Sequence, residues 1–191
     1  AAGNIHLQLN EDQVDFAAWC SYKYLNGGPG GLSGVFIHER HAQDTNRPRF
    51  GGWWGNDPST RFKMHQIPDF HPVPTADAWQ LSNPPILALA PLRSALALFD
   101  EVGMPKLRAR SQRLTGWLRK QLPHWVEVMT PERAQGAQLS LRVDQADGVQ
   151  RFLQQEGGVC DVRKPNIMRA APAPLYNSYE DAFRLVRALT M

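Results

Sequence analysis

The sequence predicts an α/β chain in two parts: a front part built on short strands, and a C-terminal α+β layer of helices on a sheet. Three observations lead there. Short alternating or apolar segments flank the glycine-rich stretch "LNGGPGG" near the N-terminus. Residues 47–80 then turn to Pro, Gly, His, Asp and Trp with little periodicity. After them come two helical patterns, followed by strand, strand, helix, strand, strand, helix. This order places a front domain at residues 1–103, with a long loop over 47–80, and a small α+β domain at residues 104–191.

The elements follow in turn. "NIHLQL" alternates apolar and polar residues, "VDFAAWC" is a short apolar run, and "GVFIHE" reads as a third strand entered through the glycine-rich loop. A loop as long as 47–80 inside a compact protein is usually functional. "SNPPILALAPLRSALALFDEVG" begins a helix, with Ser82 or Asn83 as its cap and Pro84 or Pro85 in the first turn, and Gly103 ends it. "MPKLRARSQRLTGWLRKQLP" is a longer amphipathic helix stopped by Pro123. "WVEVMT" and "AQLSLRV" alternate as strands, "ADGVQRFLQQEG" is helical, and "GVCDVR" and "IMRAAP" are strands. "SYEDAFRLVRALT" closes the chain as a helix with Ser178 and Asp181 spaced as a capping box. The first strands begin without a lead-in and are too few to cover both faces of a sheet, so the expectation is the later portion of a larger molecule.

Composition narrows the class. With 42% apolar and 20% charged residues in 191, the chain is an ordinary globular one rather than a disordered one. No apolar run reaches the length of a membrane span, and no secretory leader is recognisable, so the expected setting is cytoplasmic with no membrane contact. Cys20 and Cys160 lie in apolar, strand-like segments and read as two buried, reduced thiols. The net charge of +3 is densest in the basic helix, whose polar face reads as solvated. No zinc-finger pattern or aromatic RNA-binding signature supports a nucleic-acid partner. His65 and His71 lack metal-ligand spacing, and no metal is expected.

One residue stands out. Lys23 follows "FAAWCSY", which predicts the end of a buried strand, and Gly27, Gly28, Gly30 and Gly31 directly behind it let the backbone pass close to a bound molecule. An ordinary lysine, with a pKa near about 10.4, is a poor nucleophile. Apolar or cationic surroundings keep the amine neutral, and it then forms a Schiff base with a carbonyl. Tyr22 beside it offers a hydroxyl for a phosphate. The pattern fits a pyridoxal phosphate lysine; the plainer reading is a strand-end lysine snorkelling to water.

The motifs "CSYKYLNGGPGG", "GGWWGNDPSTRFKM", "SNPPI" and "GVCDVRKPNIMRAAPAPLYNS", in this order, resemble those of the kynureninases over nearly the whole chain. The resemblance implies a fold-type I pyridoxal phosphate enzyme of the aspartate aminotransferase superfamily. Residues 1–103 would be the C-terminal part of its cofactor-binding large domain, with a mixed, mostly parallel sheet. It also implies pyridoxal 5'-phosphate as cofactor and a homodimer whose active site is shared between subunits. The implied activity is hydrolysis of L-kynurenine or 3-hydroxykynurenine to anthranilate or 3-hydroxyanthranilate and L-alanine, in tryptophan catabolism and NAD biosynthesis.

By the same resemblance, Lys23 matches the lysine that holds the cofactor covalently, and Tyr22 the tyrosine that binds its phosphate. Trp53 matches a tryptophan of the phosphate and substrate region. Asn83 occupies the position that contacts phosphate and substrate from the neighbouring subunit, and Ser82 lies beside it. Arg169 matches the arginine that grips the substrate α-carboxylate, a role suited to a planar fork. On the residues alone, Trp53 reads first as a packing aromatic and Asn83 first as a helix cap, while a surface arginine paired with Asp161 or Glu180 competes for Arg169.

The chain departs from the family in two places. Asn56 stands where some relatives carry histidine, which leaves the preference for ring substituents open. The family's earlier region, with the aspartate for the pyridine nitrogen and the main phosphate-binding helix start, is absent, so the chain by itself is expected to be inactive without its N-terminal part. Two alternatives stand beside this reading. One is another fold-type I enzyme of the cysteine desulfurase kind, which would need a mobile, exposed cysteine. The other is a non-catalytic binding or scaffold module derived from an enzyme half.

Overall fold

The computed structural model describes residues 1–191. They form two compact units, one of Leu7–Leu98 and the other of Phe99–Met191 together with Gly3–His6.

In the first unit, β1 (Phe16–Trp19) and β2 (Gly34–Ile37) pair antiparallel, with Phe16 opposite Ile37 and Trp19 opposite Gly34. Gly34 is required there, because a Cβ at that position would lie 2.4 Å from the Trp19 ring. The connection between the strands is the glycine-rich loop rather than a crossover helix, so the pair runs antiparallel. A short helix, α1 (Glu39–Ala42), follows β2. Phe16 stacks on His41 at 5.0 Å and meets Trp79 edge-on at 6.3 Å. Asp15 is paired with His41 and accepts hydrogen bonds from Arg40, and these two partners lower its carboxyl pKa to about 2.

Residues 47–80 carry only two 3₁₀ turns, Arg61–Lys63 and Ala76–Trp79. The loop is tied by its main chain. Trp53 N–H donates to Leu81 O at 3.0 Å, Val73 N–H to Gly55 O at 3.1 Å, and Asp57 N–H to His71 O at 2.8 Å. Close approach is why glycines occupy positions 52 and 55. A Cβ on Gly52 would sit 2.2 Å from Leu81 O, and one on Gly55 2.5 Å from Ala78 O. Helix α2 (Ile86–Val102) leaves this unit with Ile86, Leu87 and Leu98 exposed.

The second unit begins with α3 (Met104–Gln121), started by Gly103 at a φ of 83° and by Pro105 in its first turn. Then come β3 (Glu127–Val128), β4 (Leu139–Arg142), α4 (Ala146–Gln155), β5 (Asp161–Arg163), β6 (Ile167–Ala170) and α5 (Tyr179–Thr190). The strands form one antiparallel sheet in the order β3-β4-β6-β5. Leu139 and Leu141 of β4 alternate inward with Met168 and Ala170 of β6, and bury against Leu118 of α3, Leu153 of α4 and Leu189 of α5. All three helices therefore cover one face, as the period-2 strands and 3.6-period helices require. Ser178 caps α5 in a reciprocal box: its hydroxyl accepts from Asp181 N–H, and Asp181 accepts from Ser178 N–H at 2.7 Å. Asn4 reaches this unit by accepting from Ala137 N–H at 2.9 Å.

Several expectations change. "NIHLQL" forms turns and coil instead of a strand, because Asn4 and Ile5 N–H groups turn back to Ala1 O. The parallel pairs implied by the resemblance are not formed among these residues; every strand pair here is antiparallel. The helix expected to start at Ser82 or Asn83 starts at Ile86, since its first main-chain bonds run from Ala88 and Leu89 back to Pro85. Cys20 is only half-buried, whereas Cys160 is buried, and both are free thiols.

Candidate functional site

Lys23 does not end a buried strand. It lies beyond the end of β1, in a tight bend, and its side chain is exposed. The bend is wound by main-chain bonds from Asn26 N–H to Lys23 O at 3.0 Å and from Gly27 N–H to Ser21 O at 2.8 Å. Ser21 is buried beneath the glycine loop, close enough that a Cβ on Gly31 would lie 2.6 Å from its Oγ. The glycines thus wrap Ser21 and hold up the Tyr22–Lys23 pair, with Lys23 Nζ 5.6 Å from the centre of the exposed Tyr22 ring. Lys23 makes no ion pair.

Trp53 is half-exposed and meets Phe62 edge-on at 6.0 Å. Its main-chain bond to Leu81 brings the "GGWWG" segment beside Ser82 and Asn83. Ser82 accepts from the Gln80 side chain at 3.2 Å. Asn83 is exposed and accepts from Trp54 Nε1–H at 2.7 Å. Arg61 lies over the Trp54 ring at 4.6 Å and donates to Trp54 O at 3.1 Å. Asn56 is buried, and its side-chain oxygen accepts from His71 N–H at 3.1 Å, so this residue serves as a clasp of the loop. Arg49, over the Trp79 ring at 3.9 Å, borders a cavity of about 490 Å³ with Pro48, Phe50 and Leu81. Burial lowers the Arg49 pKa.

Arg169 belongs to the second unit. It lies on the sheet face opposite the helices, between Ser140 of β4 and Asp161 of β5 in register. Its guanidinium is ion-paired with Asp161, which also pairs with Arg163 at 3.3 Å. A separate cavity of about 470 Å³ in this unit is lined by Leu153, Cys160, Tyr176 and Arg184 among others. Burial pushes the Cys160 thiol up to about 11.

The structure thus brings Lys23 to Tyr22, and Asn83 to Trp54, within one unit. Trp54, Arg61 and Arg49 were missed in the sequence. The adjacent pair "WW" was a signal for Trp54, but nothing local marks an arginine that stacks on an aromatic several residues away.

Residues 107–189 match the kynureninase C-terminal domain family. A kynureninase of Myxococcus xanthus is 55% identical over 195 residues, covering 98% of this chain and 45% of that protein. One of Koribacter versatilis is 53% identical over 194 residues, with the same coverage. By sequence, the chain resembles the C-terminal portion of a kynureninase. It spans about half the length of the curated relatives it matches. Among solved structures, an apo cysteine desulfurase from Thermococcus onnurineus NA1 superposes with a TM-score of 0.77 at 17% identity, over 99% of this chain and 49% of that one. The cystine C-S lyase C-DES, in complex with its product cysteine persulfide, gives 0.76 at 19%, over 99% and 50%. A C-DES mutant with glycine linked to its pyridoxal phosphate cofactor gives 0.73. The fold is shared with about half of each of these chains.

Proposed function

We propose that the protein to which this chain belongs is a hydrolase that converts L-kynurenine and water to anthranilate and L-alanine, with pyridoxal 5'-phosphate as cofactor. The observation that carries this reading is the 55% identity to a kynureninase across both units, when fold neighbours of other activities stay below 20%.

The residues present suit that cofactor. Lys23 offers an exposed primary amine with no acidic partner, and Tyr22 an exposed hydroxyl next to it. The amide nitrogen of Asn83 is left without a partner within this chain. One amine, one phenol and one amide are the donors that an aldehyde and a phosphate require. When bound, pyridoxal phosphate supplies an electron sink for cleavage next to the amino acid α-carbon.

The chain's own groups do the rest. Lys23 takes the α-proton and returns it, as general base and then acid. Tyr22 and Asn83 donate to the phosphate, while Trp53 presents an apolar face alongside. Arg169 holds the α-carboxylate; its fork already carries a carboxylate, that of Asp161, so the substrate enters by exchanging one for another. The exposed apolar residues of α2 are surface that more of the polypeptide or a second copy of it would cover.

The test is the full-length protein with L-kynurenine and pyridoxal phosphate. Anthranilate fluorescence should rise with turnover and vanish in Lys23→Ala, while the 191-residue chain alone should show little or none. Cofactor binding without anthranilate release would refute the proposal. A cysteine desulfurase activity would need a mobile, exposed cysteine; Cys160 is buried and Cys20 is half-buried.

A further inference from the structure

We infer that Trp54 is a positioning residue that presets the Asn83 amide as a hydrogen-bond donor to the cofactor phosphate; this rests on the reading of Asn83 given above. An indole N–H donates and never accepts, so the atom of Asn83 that faces Trp54 Nε1 at 2.7 Å is its oxygen. The amide is thereby turned, and its NH₂ group faces away from Trp54 with no partner in the chain.

Without that bond an exposed asparagine flips between presenting its oxygen and its nitrogen. An oxygen turned to a phosphate repels it; a nitrogen donates to it. The bond therefore selects the orientation that binds an anion, at no cost to be met when the ligand arrives.

Trp54 is itself fixed from two sides. Arg61 lies over its ring at 4.6 Å and donates to its carbonyl at 3.1 Å, and Trp53, one residue earlier, is bonded to Leu81 two residues before Asn83. Donor and acceptor are thus carried on two segments tied main chain to main chain. The indole of Trp54 consequently meets the amide without either side chain having to search for the other.

The experiment measures the affinity of the full-length apoenzyme for pyridoxal phosphate and for pyridoxal, which lacks the phosphate, by absorbance. Trp54→Phe keeps an aromatic ring beneath Arg61, though a smaller one, and removes the N–H. It should weaken pyridoxal phosphate about threefold to tenfold, the worth of one neutral hydrogen bond, and leave pyridoxal unchanged. Asn83→Ala should weaken pyridoxal phosphate at least as much. The double variant should be no worse than Asn83→Ala alone, which a merely structural role for Trp54 would not produce.

Asn83→Asp provides a second route should Trp54→Phe fold poorly. It still accepts from Trp54 but presents an oxygen outward, and it should cost more than tenfold for pyridoxal phosphate only. Additive losses in the double variant, or equal losses for both ligands, overturn the role of Trp54. An Asn83→Ala protein that binds pyridoxal phosphate as well as the parent overturns the reading of Asn83, and the role of Trp54 falls with it.

Discussion

Gly52→Ala should be among the most damaging single-carbon additions in the protein. The added Cβ would lie 2.2 Å from Leu81 O and 2.4 Å from Leu81 Cα, both main-chain atoms that no rotamer change moves aside. The two segments must separate by roughly 1 Å to reach ordinary contact. That separation breaks the 3.0 Å bond from Trp53 N–H to Leu81 O. Overpacking of this kind and one lost main-chain hydrogen bond together cost about 2–4 kcal/mol.

Gly116→Ala is the matched control. It adds the same atom inside α3, where nothing lies within 4 Å, and should stabilise by about 1 kcal/mol through helix propensity. Denaturant titration of the full-length protein reads both. If Gly52→Ala unfolds at the same midpoint as the parent, the argument that the loop is held by main-chain contact is wrong.

Leu139→Ala opens a cavity at a fully buried position of the sheet and should cost about 2–5 kcal/mol in the same titration. Arg169→Lys keeps the charge but loses the fork, and should lower kcat/KM for L-kynurenine by about tenfold to a hundredfold, with no comparable change in cofactor affinity. Cys160, raised by burial from 9.0 to about 11, should resist alkylation at pH 8 in the native protein and react on unfolding. Between pH 9 and about 11 its thiol ionises in the unfolded chain but not in the folded one, so its effect there is to lower stability as pH rises. Asp15 works at the other end: its pKa is depressed from 3.8 to about 2, so its contribution is present above 3.8 and lost as pH falls toward 2. Asp15→Asn should flatten the acid limb of the melting curve.

The C-terminal half was legible because its signals are local. Alternation in "WVEVMT" and "AQLSLRV", the amphipathic pattern of α3 and the Ser178–Asp181 cap each act within a few residues, and strand, helix and cap form there. The front half was less so. "NIHLQL" alternates like a strand, yet no neighbouring strand is there to pair with it, and period alone cannot supply a partner. The buried strand end expected for Lys23 is an exposed bend, because the glycines take the chain around Ser21. Asn83 was read as a cap or a ligand contact. Its bond to Trp54 spans residues that only the loop's fold brings together, and no spacing rule reports that.

The docking of residues 52–55 on residues 78–81 is made by backbone atoms and by the absence of side chains at two positions. Along residues 52–55 the course of the chain is therefore set by main-chain contact, with the Asn56 side chain clasping the loop further on. Residues 53 and 54 can be exchanged for rings of another size or polarity while the rail beneath them stays put. An engineer wishing to alter what this rim recognises can therefore work at positions 53 and 54 without re-routing the backbone, provided both glycines are left alone and the Trp54 bond to Asn83 is replaced by another donor.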